Sequence, residues 1–110
     1  MPYDGVMGGS DGKPGEEVLE KVRPRVAKPP LFRVLLHNDD YSTMDFVVRV
    51  LEGVFQKSPA QAYRIMMHVH TQGIGTCGAY TYEVAETKVA MVQDLARSEG
   101  FPLRASLEEE

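Results

Sequence analysis

At 110 residues the chain has room for one domain, and a composition 43 % apolar and 25 % charged belongs to a globular chain rather than a disordered one. The formal charge of −4, from 12 basic and 16 acidic residues, argues against an extended nucleic-acid surface. The single cysteine, Cys77, excludes an intrachain disulfide and fits a reducing compartment. The longest nearly apolar runs, Leu31–Leu36 and Phe46–Leu51, are each broken by an arginine and fall far short of a membrane span. The expected location is therefore the cytoplasm, with neither membrane nor nucleic acid as a partner.

Residues 1–27 carry Gly5, Gly8, Gly9, Gly12 and Gly15 with Pro2, Pro14 and Pro24, and lack sustained apolar periodicity. They read as a flexible N-terminal extension, with at most a helical turn around Glu16–Val22, ahead of a core domain at 28–110. Pro29-Pro30 leads stiffly into Leu31–His37, a strand in a largely buried environment. Asn38-Asp39-Asp40 ends it in a turn, because three short polar side chains can bond to nearby backbone. Ser42 or Thr43 caps a first helix with Asp45 in its first turn. Met44, Val47, Val48, Leu51, Val54 and Phe55 recur on its apolar face.

Ser58-Pro59-Ala60-Gln61 has the chemistry of a helix start: a cap, a proline at the first helical position and a capping-box glutamine. Ala62, Ile65, Met66 and Val69 form the apolar face, and the helix stops after Gln72 at Gly73 and Gly75. Ile74–Tyr80 reads as a short strand with Cys77 and Ala79 on one side, and Gly78 marks close packing or a bulge. Thr81 opens a third helix, Tyr82–Ser98, which Gly100 ends. Phe101–Leu107 is a last extended segment, and Glu108–Glu110 a solvated tail. The order β-α-α-β-α-β predicts an α/β fold of the α+β sandwich kind, a small antiparallel three-stranded sheet packed against three helices.

The densest polar cluster, His37-Asn38-Asp39-Asp40, lies at a strand-to-helix junction, where binding residues concentrate. On the residues alone, a solvated turn with a helix cap is the more ordinary reading. His70 borders Met66 and Val69 on the second helix, either as a ligand-facing residue or as a half-buried histidine bonded to a carbonyl. Zinc held by His70, Cys77 and an aspartate is conceivable, but the spacing matches no metal motif. A nucleophilic Cys77 competes with the ordinary reading of a small core residue beside Gly78 and Ala79. No phosphate loop or HExxH is present, and neither a catalytic residue nor a cofactor is expected.

Several blocks resemble the ClpS family at family spacing: Val34 to Tyr41, Met44 to Val47, Val69 to Gly73, Thr76 to Gly78, Pro102 with Leu103, and the most specific, Glu83 to Val89. The resemblance spans roughly 28–110. It implies a core like the ribosomal protein L7/L12 C-terminal domain. It also implies an adaptor that recognises N-degrons, proteins with Leu, Phe, Tyr or Trp at a free N-terminus, and delivers them to the N-terminal domain of a ClpA or ClpC unfoldase working with ClpP. The extension takes part in delivery. By the same resemblance Asn38, Asp39, Asp40 and His70 grip the substrate amine, with Asp39 more concerned with ordering the loop. The side-chain pocket maps onto Met44, Val47, Met66, Val69 and Leu103, with Ser42 at its rim and Leu36 or Ile65 at its floor. Glu83 and Lys88 belong to the unfoldase-binding face. The chain departs from the common family pattern at Ser42, which keeps a hydroxyl but loses a methyl, at Thr43, which replaces a stiffening proline, and at Ala105. The competing expectation is an interaction module that modulates a Clp unfoldase without binding N-degrons.

Overall fold

The computed structural model describes residues 28–110, so the extension expected at 1–27 and its helical turn lie outside the described residues. The elements run β1 (Phe32–His37), α1 (Met44–Gly53), α2 (Pro59–Gln72), β2 (Ile74–Tyr80), α3 (Tyr82–Glu99) and β3 (Arg104–Glu109). The strands form one antiparallel sheet in the order β2-β1-β3. α2 and α3 pack on this sheet, and α1 packs on α2.

Local chemistry sets the helix boundaries. Thr43 caps α1, its side-chain oxygen accepting from the Phe46 N–H at 3.1 Å. At α2, Ser58 and Gln61 exchange both capping-box bonds, at 3.2 and 3.1 Å, and Pro59 sits at the first helical position. Gly73 closes α2 in the left-handed region at φ 89°, which costs glycine little.

The core joins Val34 and Leu36 of β1 to Phe46, Val47, Val50 and Leu51 of α1, Ala62, Met66 and Val69 of α2, and Ala85, Val92 and Ala96 of α3. On α1 the fully buried face is led by Phe46 and Val50, four residues apart, rather than by Met44 and Val48. The Phe46 ring meets Phe101 at 4.7 Å between centroids, so the segment before β3 covers a flank of the helix that periodicity alone leaves open.

Three expectations need correction. β1 is buried on one face only: Val34 and Leu36 are fully buried, whereas Arg33, Leu35 and His37 are half-buried on the other side. Cys77 and Ala79 do not share a side. The register shifts between Val34 and Leu35, where β2 contributes one residue too many, so Ala79 pairs with Arg33 on the outer face while Cys77 is buried. β3 begins at Arg104 and runs through Glu108 and Glu109, which pair with Arg33 and Phe32. The Arg33–Glu108 ion pair at 2.7 Å and the Glu110 N–H bond to the Leu31 carbonyl at 2.9 Å extend the strand into what reads as a polar tail.

Close approach of α2 to β2 depends on Gly75, where a Cβ would lie 2.7 Å from Cγ2 of Val69. That methyl belongs to a β-branched side chain with little rotamer freedom. Gly75→Ala is expected to lower stability by roughly 1–3 kcal/mol through overpacking, read as a lower urea midpoint with an unchanged slope.

Candidate functional site

A pocket of about 230 Å³ opens where the turn after β1 meets the last turn of α2. One side is polar, lined by Asn38, Asp39, Asp40, Ser42 and His70. The other is apolar, lined by Met44, Val47, Met66 and Val69. Val47, Met66 and Val69 are no more than 7 % exposed and make the floor, while Met44, 49 % exposed, forms a lip of adaptable shape.

Backbone contacts bring the two sides together. The Asn38 N–H donates to the Gly73 carbonyl at 2.9 Å, and His37 pairs with Ile74 across β1 and β2. The 38–40 turn is thereby held against the end of α2, one helical turn from His70. Asp39 organises the turn. Its Oδ1 accepts from the N–H groups of Tyr41 at 2.8 Å and Ser42 at 2.6 Å, and its Oδ2 from the Ser42 hydroxyl at 2.8 Å. Burial pushes this carboxyl up, but the bonds from Ser42 and then Tyr41 outweigh burial and hold it below the usual aspartate range. The Ser42 hydroxyl thus supports the rim, and the Thr43 cap ties the residue that replaces the family's proline. Asn38 and Asp40, both exposed, flank this locked carboxylate.

Three residues expected at the pocket lie outside its lining. Leu36 and Leu103 are buried in the core, and Ile65 is half-buried against it. Ile65 stands about 100° around the helix from Met66, enough to turn it away from the opening. His37 points to the outer face of the sheet, where its Nε2 and the Ser106 hydroxyl lie 2.7 Å apart. Burial, and then the neighbouring Arg104 charge, push its ring below the ordinary histidine value.

Burial decides against Cys77 as a nucleophile. Among the described residues no group of three or more His, Cys, Asp or Glu side chains is gathered for a metal ion. Cys77 is 1 % exposed, and burial pushes its thiol up to about 12, which leaves no thiolate near neutrality.

A second groove, of about 320 Å³, runs along α3 between Glu83, Val84, Thr87, Lys88 and Met91. Val84 and Met91 expose 44 % and 43 % of their surface there. Lys88 is turned inward. Its Nζ donates to the Val54 carbonyl at 2.6 Å, at the C-terminus of α1, and lies 5.3 Å from the Tyr80 ring centroid and 5.8 Å from that of Phe55. It therefore closes a helix end with a charge of favourable sign.

Residues 27–106 match the family of ATP-dependent Clp protease adaptor protein ClpS. The chain belongs to the ClpS family. A ClpS protein of Maricaulis maris is 57 % identical over 96 residues, covering 87 % of this chain and 88 % of its own. That of Oleidesulfovibrio alaskensis is 67 % identical over 82 residues, with 74 % and 79 % covered. That of Parvibaculum lavamentivorans is 50 % identical over 110 residues, spanning 100 % of both chains. Among solved structures, Agrobacterium tumefaciens ClpS2 bound to L-phenylalaninamide is 38 % identical with a TM-score of 0.73, covering 76 % of this chain and 100 % of that one. The β-α-α-β-α-β fold expected from the sequence is thus the ClpS fold. Among the described residues no helix is long and apolar enough to cross a membrane.

Two outcomes follow from the side-chain bonds. A carboxyl held below its unfolded value near ~3.9 stabilises the fold fully above that pH, and loses this contribution as pH falls through the lower folded value. The Tyr41 and Ser42 amide resonances of this ClpS chain should accordingly move together in an acid titration followed by NMR, and Asp39→Asn should remove that step. Lys88→Ala leaves the Val54 carbonyl without its charged donor, with an expected loss of roughly 1.5–3 kcal/mol in chemical unfolding.

Proposed function

We propose that the pocket holds the free amine and first side chain of proteins that begin with Leu, Phe, Tyr or Trp, and that the chain hands them to the ClpA or ClpC unfoldase of a ClpP protease. The observation that carries this reading is the convergence of Asn38, Asp40 and His70 on one side of a pocket whose other side is apolar. An N-terminal ammonium withdrawn from bulk water needs acceptors around it. An amide oxygen, a carboxylate and a ring nitrogen of an imidazole answer that need. Charge-assisted bonds of this kind contribute roughly 1.5–3 kcal/mol each, and burial of a Leu or Phe side chain a further ~1.5–3 kcal/mol. Once entropic costs are met, these terms suit affinity around ~1 μM or tighter. A charged first side chain would meet Val47, Met66 and Val69 without a partner and be rejected by desolvation. A relative bound to an amino-acid amide supports the same reading.

Glu83, with the exposed Val84 and Met91, forms the face for the N-terminal domain of the unfoldase, and the 1–27 extension takes part in delivery from a cytoplasmic adaptor. Lys88 contributes to that face by holding α3 to the end of α1, so Glu83→Ala is the cleaner probe of docking. The α3 groove is separate from the pocket, which keeps a second reading in play: a modulator of the unfoldase that leaves the pocket empty.

Fluorescence anisotropy with matched Leu-, Phe-, Tyr- and Trp-initiated peptides separates the two. Free peptides should bind one to one, with N-acetylated versions weaker by at least ~100-fold, since both charge and donors are lost. Asp40→Ala or His70→Ala should remove most of that difference. Equal affinity for free and acetylated forms would leave only the modulator reading.

A further inference from the structure

The polar side of the pocket carries more negative charge than one ammonium can answer. Asp39 and Asp40 both line it, while Asn38, Ser42 and His70 bring no carboxylate and no fixed cation, and neither Lys nor Arg is among the lining residues. The ion pairs among the described residues join Arg33 to Glu108, Arg49 to Glu99 and Arg97 to Asp94, and engage neither aspartate. The N-terminal end of α1 does not offer an open anion site either, since Thr43 caps it and Asp45 occupies its first turn. Asp40 is free to pair with a ligand amine. Asp39 is held by Tyr41 and Ser42 through neutral donors, so among the described residues its charge stays in the pocket wall without a counter-ion.

We infer that this surplus charge makes the site a reader of peptide and protein N-termini that turns away free Leu, Phe and Tyr, with Asp39 as the residue that sets the distinction. The inference rests on the amine-binding function proposed above. A free amino acid offers the same ammonium and the same side chain as a protein that begins with it. It differs in carrying a carboxylate on the carbon that bears the amine. Once the amine sits among Asn38, Asp40 and His70, that carboxylate cannot leave the neighbourhood of Asp39. A peptide places a neutral amide at the same point. The protein N-terminus leaves one surplus negative charge in the occupied pocket, the zwitterion two, in a partly enclosed space where like charges repel more than in water. Free amino acids then do not compete with protein substrates for the adaptor.

Displacement of a fluorescent Phe-initiated peptide from the full chain tests this at pH 7, with L-phenylalaninamide, L-phenylalanine methyl ester and L-phenylalanine as competitors. The amide and the ester should compete comparably, and free phenylalanine at least ~10-fold more weakly, a gap that narrows as salt is raised. The amines of the amide and ester are the less basic, so incomplete protonation works against the expected order. Asp39→Asn should narrow the gap several-fold by improving free phenylalanine relative to the amide. A purely structural role for Asp39 would weaken all three in parallel and would overturn its assignment. Free phenylalanine competing as well as the amide would overturn the inference on the wild-type chain alone, without recourse to a variant. So would failure of the ester, which carries no added charge and lacks only the amide N–H. Failure of amide and ester together would instead sink the amine-binding function, and the inference with it.

Discussion

The bond from the Asn38 N–H to the Gly73 carbonyl is the constraint on which the site depends. It ties the chain leaving β1 to the chain leaving α2, and β1 and β2 continue the pairing from His37 and Ile74 onward. Gly73 can end α2 in the left-handed region, and Gly75 lets the helix lie close over the strand that follows. With α2 so placed, Val69 reaches the floor of the pocket and His70 its polar side. Residues more than thirty positions apart in the chain thus converge because two backbone turns are joined, with their side chains left available to a ligand.

Adjacent aspartates have different work in this arrangement. Asp39 has both oxygens occupied by the loop it closes, which makes it part of the scaffold and a charge in the wall near neutral pH. Asp40 stands exposed at the same opening. Chemically identical side chains one residue apart diverge because consecutive residues in a turn face different neighbours. The carboxylate that meets two N–H groups and a hydroxyl is stabilised in its ionised form.

The pocket and the α3 groove are linked through α1. Its first residue, Met44, forms the lip of the pocket, and the Val54 carbonyl just past its end receives Lys88 of the groove. Lys88 shows why a charged residue in a recognisable block need not face outward. Its ammonium is taken up by a helix end and two aromatic rings, leaving Glu83, Val84, Thr87 and Met91 as the groove's more accessible chemistry.

The sequence by itself determined the element order, the caps at Ser58 and Gly73, the apolar face of α2 and the blocks, Glu83 to Val89 the most specific, that resemble the ClpS family. These are local signals, carried by residues within a turn or two of one another. What only the tertiary structure decided is which neighbours meet. A single extra residue at Cys77 and Gly78 reverses the facing of the rest of β2, and composition does not reveal it. Leu36 and Leu103 are apolar enough for a pocket floor, yet the packing of the sheet puts them wholly in the core. Glu108 and Glu109 read as tail until Arg33 and Phe32 lie opposite them in the ladder. Periodicity reports that a side chain is buried, whereas the partner that buries it comes from distant chain, through backbone pairing and close packing that no local window contains.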